Sequence, residues 1–204
     1  MDETVRPKVR RRLDPVGTRK AILDAAVETF AEKGYSGTAM GDVACAAGVT
    51  KSLVQYHFET KENLWQTVLA TTMLPFIDAV DRFLESNHTL QDVAELISER
   101  FELFERRPEV IRLLGWASLE PSPVPTGAVE RAPRVWESVA KAIPQAERHR
   151  MVVAMSAVDG WMLTRRFKSG ILGQDLSQPQ MSKFVHEEIQ RALLGGRTAD
   201  ETEP

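Results

Sequence analysis

In TRKAILDAAVETFAEKGY, residues 18–35, apolar side chains recur at Ile22, Ala25, Ala26, Phe30 and Ala31, the spacing of one helix face, and Lys33-Gly34 marks a helix stop. The following SGTAMGDVACAAG predicts a helix of barely two turns, with Thr38 as its N-cap, Val43 and Ala46 facing the core and Gly48 in the turn beyond it. Thr50 then caps a third helix reaching His57 or Phe58, in which Val54 and Phe58 face inward one turn apart, beside Val49. Helix, helix, tight glycine turn, helix is the helix-turn-helix pattern. Downstream the chain has no period-two alternation, so the expected fold class is all-α. A helix capped by Thr60 is expected to run to Leu84 with a kink at Pro75, because proline removes one backbone hydrogen bond and crowds the preceding turn. Further helices are expected at about 89–105, 108–118, 128–142, 146–169 and 179–194, and EPSPVPTG, residues 120–127, is a loop by composition. The layout is a basic arm at 1–17, a three-helix unit at 18–64, a larger helical domain at 65–196 and a polar tail at 197–204.

Composition narrows the class. The 204 residues are 43% hydrophobic and 27% charged, ordinary globular usage. No apolar run approaches the ~18 residues of a bilayer span, and the first residues, MDETVRPKVRRRLD, lack the apolar middle of a secretion signal, so a cytoplasmic location is expected. A single cysteine leaves no internal disulfide and no multi-cysteine metal site, and Cys45 is expected to be a small buried residue. The net charge of −3 is unevenly spread: residues 1–20 hold seven basic and three acidic side chains, leaving −7 for the rest. Such asymmetry suits a polyanionic partner at one end, or a merely solvated tail.

The third helix carries the candidate chemistry. With Val54 and Phe58 turned inward, its other face presents Lys51, Ser52, Gln55 and Tyr56. In a major groove Gln55 can pair bidentately with adenine, Lys51 can reach guanine acceptors or a phosphate, and Ser52 can bond to either. Lys61 lies in the first turn of the next helix, where free N–H groups and the helix dipole favour a phosphate. The same pattern also fits a plain helical hairpin with a solvated polar face. The chain carries none of the common nucleophile-elbow, phosphate-loop, zinc-protease or dinucleotide signatures, and His186-Glu187-Glu188 is expected to be a solvated helix face. No catalytic residue, cofactor or metal is assigned.

Residues 18–64 resemble the DNA-binding domain of the TetR family of bacterial transcriptional regulators. The resemblance is carried by Phe30-Ala31-Glu32-Lys33-Gly34-Tyr35, Thr38, Ala47-Gly48-Val49, Tyr56-His57-Phe58 and Lys61-Glu62-Asn63-Leu64. It implies a DNA-binding domain followed by a ligand-binding and dimerisation domain, in a repressor that binds a palindromic double-stranded operator as a homodimer and is released by a small molecule. It further implies base contacts from Lys51, Ser52 and Tyr56 and phosphate contacts from Thr38, His57 and Lys61. Gln55 stands where the family often has tyrosine, and a base-reading role replaces the usual backbone contact. Arg10, Arg11 and Arg12 of the arm are expected to follow the minor groove or the phosphates, as short basic arms do. The last two helices would pair with their twofold mates in a four-helix bundle, with Ala154, Ala157 and Gly160 permitting close approach, although both helices also suit a monomer core.

Among Met73, Phe76, Phe83, Phe101, Phe104, Leu113, Trp116, Met155 and Trp161, expected to lie between the kinked helix and the later ones, a largely apolar effector is assigned to Met73, Phe76, Phe104, Trp116, Met155, Asp159 and Trp161. Asp159 has three readings: ligand contact, partner of Arg165 or Arg166, or solvent-facing acid. Two other functions stay open, a regulator without a small-molecule inducer and a helical enzyme.

Overall fold

The first helix, α1 (Pro15–Gly37), buries the expected stripe of Ile22, Ala26, Phe30 and Ala31. It bends at Gly34, where φ is +73°, a conformation natural to glycine. The computed structural model describes residues 15–85, 89–124, 130, 133–134, 136–137 and 144–194. Arg10, Arg11, Arg12, the polar tail and most of the helix expected at 128–142 lie outside the described residues.

The second helix, α2 (Met40–Ala46), is capped by Ala39 and not by Thr38. Asp42 reaches back to accept from the Ala39 N–H at 2.9 Å, which satisfies the helix entrance without a capping hydroxyl. Thr38, 2% exposed, instead donates its hydroxyl to the Gly34 carbonyl at 2.8 Å. At 100° per residue the buried arc of so short a helix is centred on Val43, Ala44 and Ala47. Ala46, expected in the core, is therefore exposed, and so is Cys45, expected to be buried.

Gly48 turns the chain at φ +66° into α3 (Lys51–Phe58), capped as expected by Thr50, whose hydroxyl accepts from the Leu53 N–H at 3.3 Å. The single kinked helix expected after Thr60 is two helices, α4 (Lys61–Thr72) and α5 (Leu74–Glu85), broken at Met73. Pro75 cannot supply the N–H that would continue α4, so bonding resumes with the Ile77 N–H on the Met73 carbonyl. Thr89 and Asp92 form a reciprocal cap on α6 (Leu90–Arg106), and α7 (Pro108–Leu119) begins with proline in its first turn. Two longer-range helices follow, α8 (Gln145–Leu172), ended by Gly173 at φ +63°, and α9 (Pro179–Leu193). No strand occurs among the described residues, and the fold is all-α.

The buried side chains form two cores. The first joins α1, α2, α3 and α4 around Phe30, Phe58 and Trp65 and takes Leu113 from α7. The second joins α5, α6, α8 and α9 with Val110 and Ile111 of α7 around Phe101 and Phe104. Helix α7 thus contributes to both, and it packs more extensively on α1 than any other pair of helices does.

Candidate nucleic-acid interface

The third helix is held by one face and open on the other. Val54 and Phe58 are fully buried, while Lys51, Ser52, Gln55 and Tyr56 are exposed, Tyr56 by 78%. Thr50 fixes the start of the helix and its hydroxyl lies 3.0 Å from that of Ser52. Its end is fixed by Glu59, a non-glycine residue at φ +59°, whose N–H bonds to the Gln55 carbonyl at 2.8 Å. Such a positive φ is costly for a residue with a Cβ, and with the Thr60 N–H on the Phe58 carbonyl at 2.6 Å it fixes a sharp turn into α4. His57 is half-buried between the rings of Tyr56 and Phe58, at 5.2 and 6.5 Å between centres. The Arg19 guanidinium of α1 sits 4.8 Å from the centre of the Phe58 ring, adding a cation beside the end of the helix.

Two of the residues given phosphate roles have structural partners. The Lys61 ammonium donates to the carbonyls of Tyr35 at 2.8 Å and Thr38 at 3.0 Å and lies over the Tyr35 ring at 4.4 Å. It therefore closes the carbonyl end of α1, a favourable place for a cation, and has one donor left for anything outside. Thr38 lies inside the α1–α2 joint. Asp42, bonded to the Ala39 N–H and facing Lys33, is held below the usual carboxylate range, chiefly by that backbone bond.

The residues assigned to an effector divide between the two cores. Met73, Phe76, Met155 and Trp161 pack against the second core, which contains Phe104. Trp116, expected with them, packs against the first core instead and donates its indole N–H to the Ala31 carbonyl at 3.2 Å. Leu113 follows it, fully buried in that core. The physical reason is the position of α7, laid along α1 so that its C-terminal half faces the helix-turn-helix unit. Asp159 pairs with neither Arg165 nor Arg166 but with Arg100 of α6, through two bonds of 3.0 Å. Arg165 pairs with Glu105. The Trp161 indole N–H is buried and has no partner among the described residues.

Three features escaped sequence reasoning. Arg100 occupies the inward face of α6 in series with Val93, Ile97 and Phe104, and a charge at such a position is the signal that marks it. Glu120 accepts from the Ser36 N–H at 2.8 Å across 84 residues, a contact with no local signature. His186, expected on a solvated face, stacks on Phe101 at 4.6 Å and lies 3.0 Å from the Ser98 hydroxyl.

Helix α2, the turn at Gly48 and helix α3 have the geometry of a helix-turn-helix unit. The sequence model of the bacterial regulatory proteins of the tetR family matches residues 22–68. Among the relatives, the HTH-type transcriptional regulator RutR of Escherichia coli is 32% identical over 106 residues, 52% of this chain and 50% of that protein. The HTH-type transcriptional repressor BepR of Brucella suis is 30% identical over 110 residues, 52% of this chain and 53% of that one. The chain spans about half the length of these curated relatives. Two solved structures share the fold over nearly the whole chain. NalD of Pseudomonas aeruginosa, the secondary repressor of the MexAB-OprM multidrug efflux pump, superposes with a TM-score of 0.62 at 22% identity, covering 92% of this chain and 100% of that one. PfmR of Thermus thermophilus, a TetR family transcriptional regulator, gives 0.62 at 18%, covering 87% and 99%. Residues 22–68 thus match the tetR family of bacterial regulatory proteins, and the chain as a whole shares the fold of these two solved structures.

Proposed function

We propose that the protein is a homodimeric, DNA-binding transcriptional repressor that recognises a palindromic operator through α3 and is released by a small molecule bound in the second core. The observation that carries this reading is the two-faced α3: two apolar side chains anchor it completely, and four polar ones, Lys51, Ser52, Gln55 and Tyr56, stand free on the opposite side. Arg19 and the remaining Lys61 donor add phosphate contacts at its two flanks, and the arm of Arg10, Arg11 and Arg12 adds more. Repression is favoured by the relatives named as repressors. No described helix is long and apolar enough to cross a membrane, which accords with a site of action on chromosomal DNA in the cytoplasm.

Dimerisation falls to the outer face of α8 and α9. Phe167 is 72% exposed and Ile171 66%, with Val153 and Phe184 also open, and beyond its own stretch of helix a methyl group at Gly160 would meet nothing within 4 Å. Ala157 shares that open face, whereas Ala154 is buried within the protomer. A second copy placed there gives two α3 helices, set to enter successive major grooves about 34 Å apart. Binding of the purified protein to duplexes selected from random sequence tests the reading. A palindromic consensus is expected, with affinity falling steeply with salt as counterions are released. Weak, sequence-independent binding with no palindrome would sink it.

A further inference from the structure

Arg100 and Asp159 are unequal partners. The Arg100 side chain is 10% exposed and that of Asp159 is 36% exposed. Guanidinium Nε and Nη2 each donate to one carboxylate oxygen, a fork meeting a fork. The same guanidinium lies 5.1 Å from the centre of the Phe76 ring and 4.7 Å from that of Phe104, whose faces attract a cation. If the pair opens, Asp159 turns toward water at little cost. Arg100 stays between its rings as a buried cation, a state that strongly favours another anion.

Next to Phe76 a cleft of about 360 Å³ lies between α5 and α6, lined by Pro75, Phe76, Leu103, Arg106 and Arg107 as well as two carboxylates. Those carboxylates are already matched, Glu99 by Arg82 at 2.5 Å and Glu102 by Arg106. The cleft therefore offers apolar surface and arginine stems without an unpaired acid to repel an anion.

We propose that Arg100 is the headgroup site for a small molecule carrying one carboxylate on an apolar body. The carboxylate takes the place of Asp159 on the guanidinium, and the body reaches the cleft past Phe76, the residue that both touches Arg100 and lines the cleft, which Arg100 itself does not line. This rests on the regulator reading above and supplies the chemistry of its effector. Exchange removes the bidentate tie between α6 and α8, and α8 carries the face assigned to the dimer, so the two recognition helices change spacing.

Decanoate is the probe, titrated calorimetrically into the full-length protein without DNA. Decanoate binds, and decanol and decyltrimethylammonium bind at least about tenfold more weakly, the discrimination expected of a charge-assisted fork. Asp159→Asn tightens decanoate about tenfold, because a charged competitor has become a neutral one. The double variant Arg100→Met with Asp159→Asn removes the pair together, which buried pairs tolerate, and binds decanoate no better than decanol. A purely structural ion pair predicts otherwise: Asp159→Asn would leave decanoate affinity unchanged or weaker, and that result overturns the proposal, as does equal affinity of the native protein for decanoate and decanol. Decanoate binding with these preferences but without binding to any palindromic duplex would keep the site and overturn the regulator reading; operator binding without decanoate discrimination would do the reverse.

Discussion

Lys61 illustrates how one residue can be placed correctly and its work still be missed. Its position at the start of α4 was plain from Thr60 and the spacing of the apolar residues. Its bonds to the Tyr35 and Thr38 carbonyls depend on the approach of α4 to the end of α1, which no local pattern encodes. Lys61→Ala is therefore expected to cost about 1.5 to 3 kcal/mol of stability through the loss of charged hydrogen bonds, besides weakening all DNA sequences alike. Gln55→Ala should leave stability within about 0.5 kcal/mol, because Gln55 is exposed, and relax one base-pair preference by about 1 to 3 kcal/mol. Urea denaturation and operator titrations on the two variants check both statements. Equal stability loss in both would remove the distinction between a joint residue and a reading residue.

At the scale of helices, the starts of α3, α6 and α9 were legible because capping threonines and prolines sit at the ends of apolar stripes. The break at Met73 was read only as a kink, since the sequence marks Pro75 but not how far the two halves diverge. The α1–α2 bend hides more. A Cβ on Gly34 would stand 2.5 Å from Glu120 Oε1 and 2.9 Å from the Trp116 ring, at a φ of +73° that strains any L side chain. Gly34→Ala should thus destabilise by several kcal/mol, on the order of 2 to 4, by combining backbone strain with displacement of α7. A thermal midpoint within two or three degrees of the native one would contradict the close approach.

The α6–α9 contact adds a pH dependence. Burial is the main cause that lowers the His186 pKa, with Glu102 and Glu187 opposing it. The Ser98 hydroxyl donates to the Ala94 carbonyl and accepts from Gln190, so the His186 Nε2–H serves as a donor to it. The folded state resists protonation while the unfolded chain takes a proton near pH ~6.5. The stability associated with neutral His186 is therefore full above that value and is lost as pH falls toward the lower folded pKa. Stability should drop as pH falls below about 6.5, and His186→Gln should flatten part of that slope in paired urea titrations. An identical slope in the variant would assign the acid sensitivity elsewhere.

In the whole molecule, two helical routes join the two cores. A helix running from Lys61 past Pro75 would make α4 and α5 one such route. The structure gives α7 the broader contact, with Val110 and Ile111 in the second core, Leu113 in the first, and Gly115 close to Leu163 of α8. Trp116 then grips the Ala31 carbonyl, and Glu120 the Ser36 N–H, at the bent end of α1. A tilt of α8 would pass to α7 and on to α1, whose carbonyl end is joined to α4 by Lys61. The proposed effector would release DNA only by preferring one of two such arrangements, with a coupling of roughly 1 to 3 kcal/mol, or about 5- to 150-fold in affinity. Trp116→Phe keeps the ring and removes the indole donor. Operator affinity without effector should then change by less than about threefold, while the coupling falls by about 1 kcal/mol, the worth of one neutral hydrogen bond. Because coupling is reciprocal, decanoate titrations with and without operator should report the same reduction as operator titrations with and without decanoate. A Trp116→Phe protein that retains the native coupling in both directions would return the lever to α4 and α5.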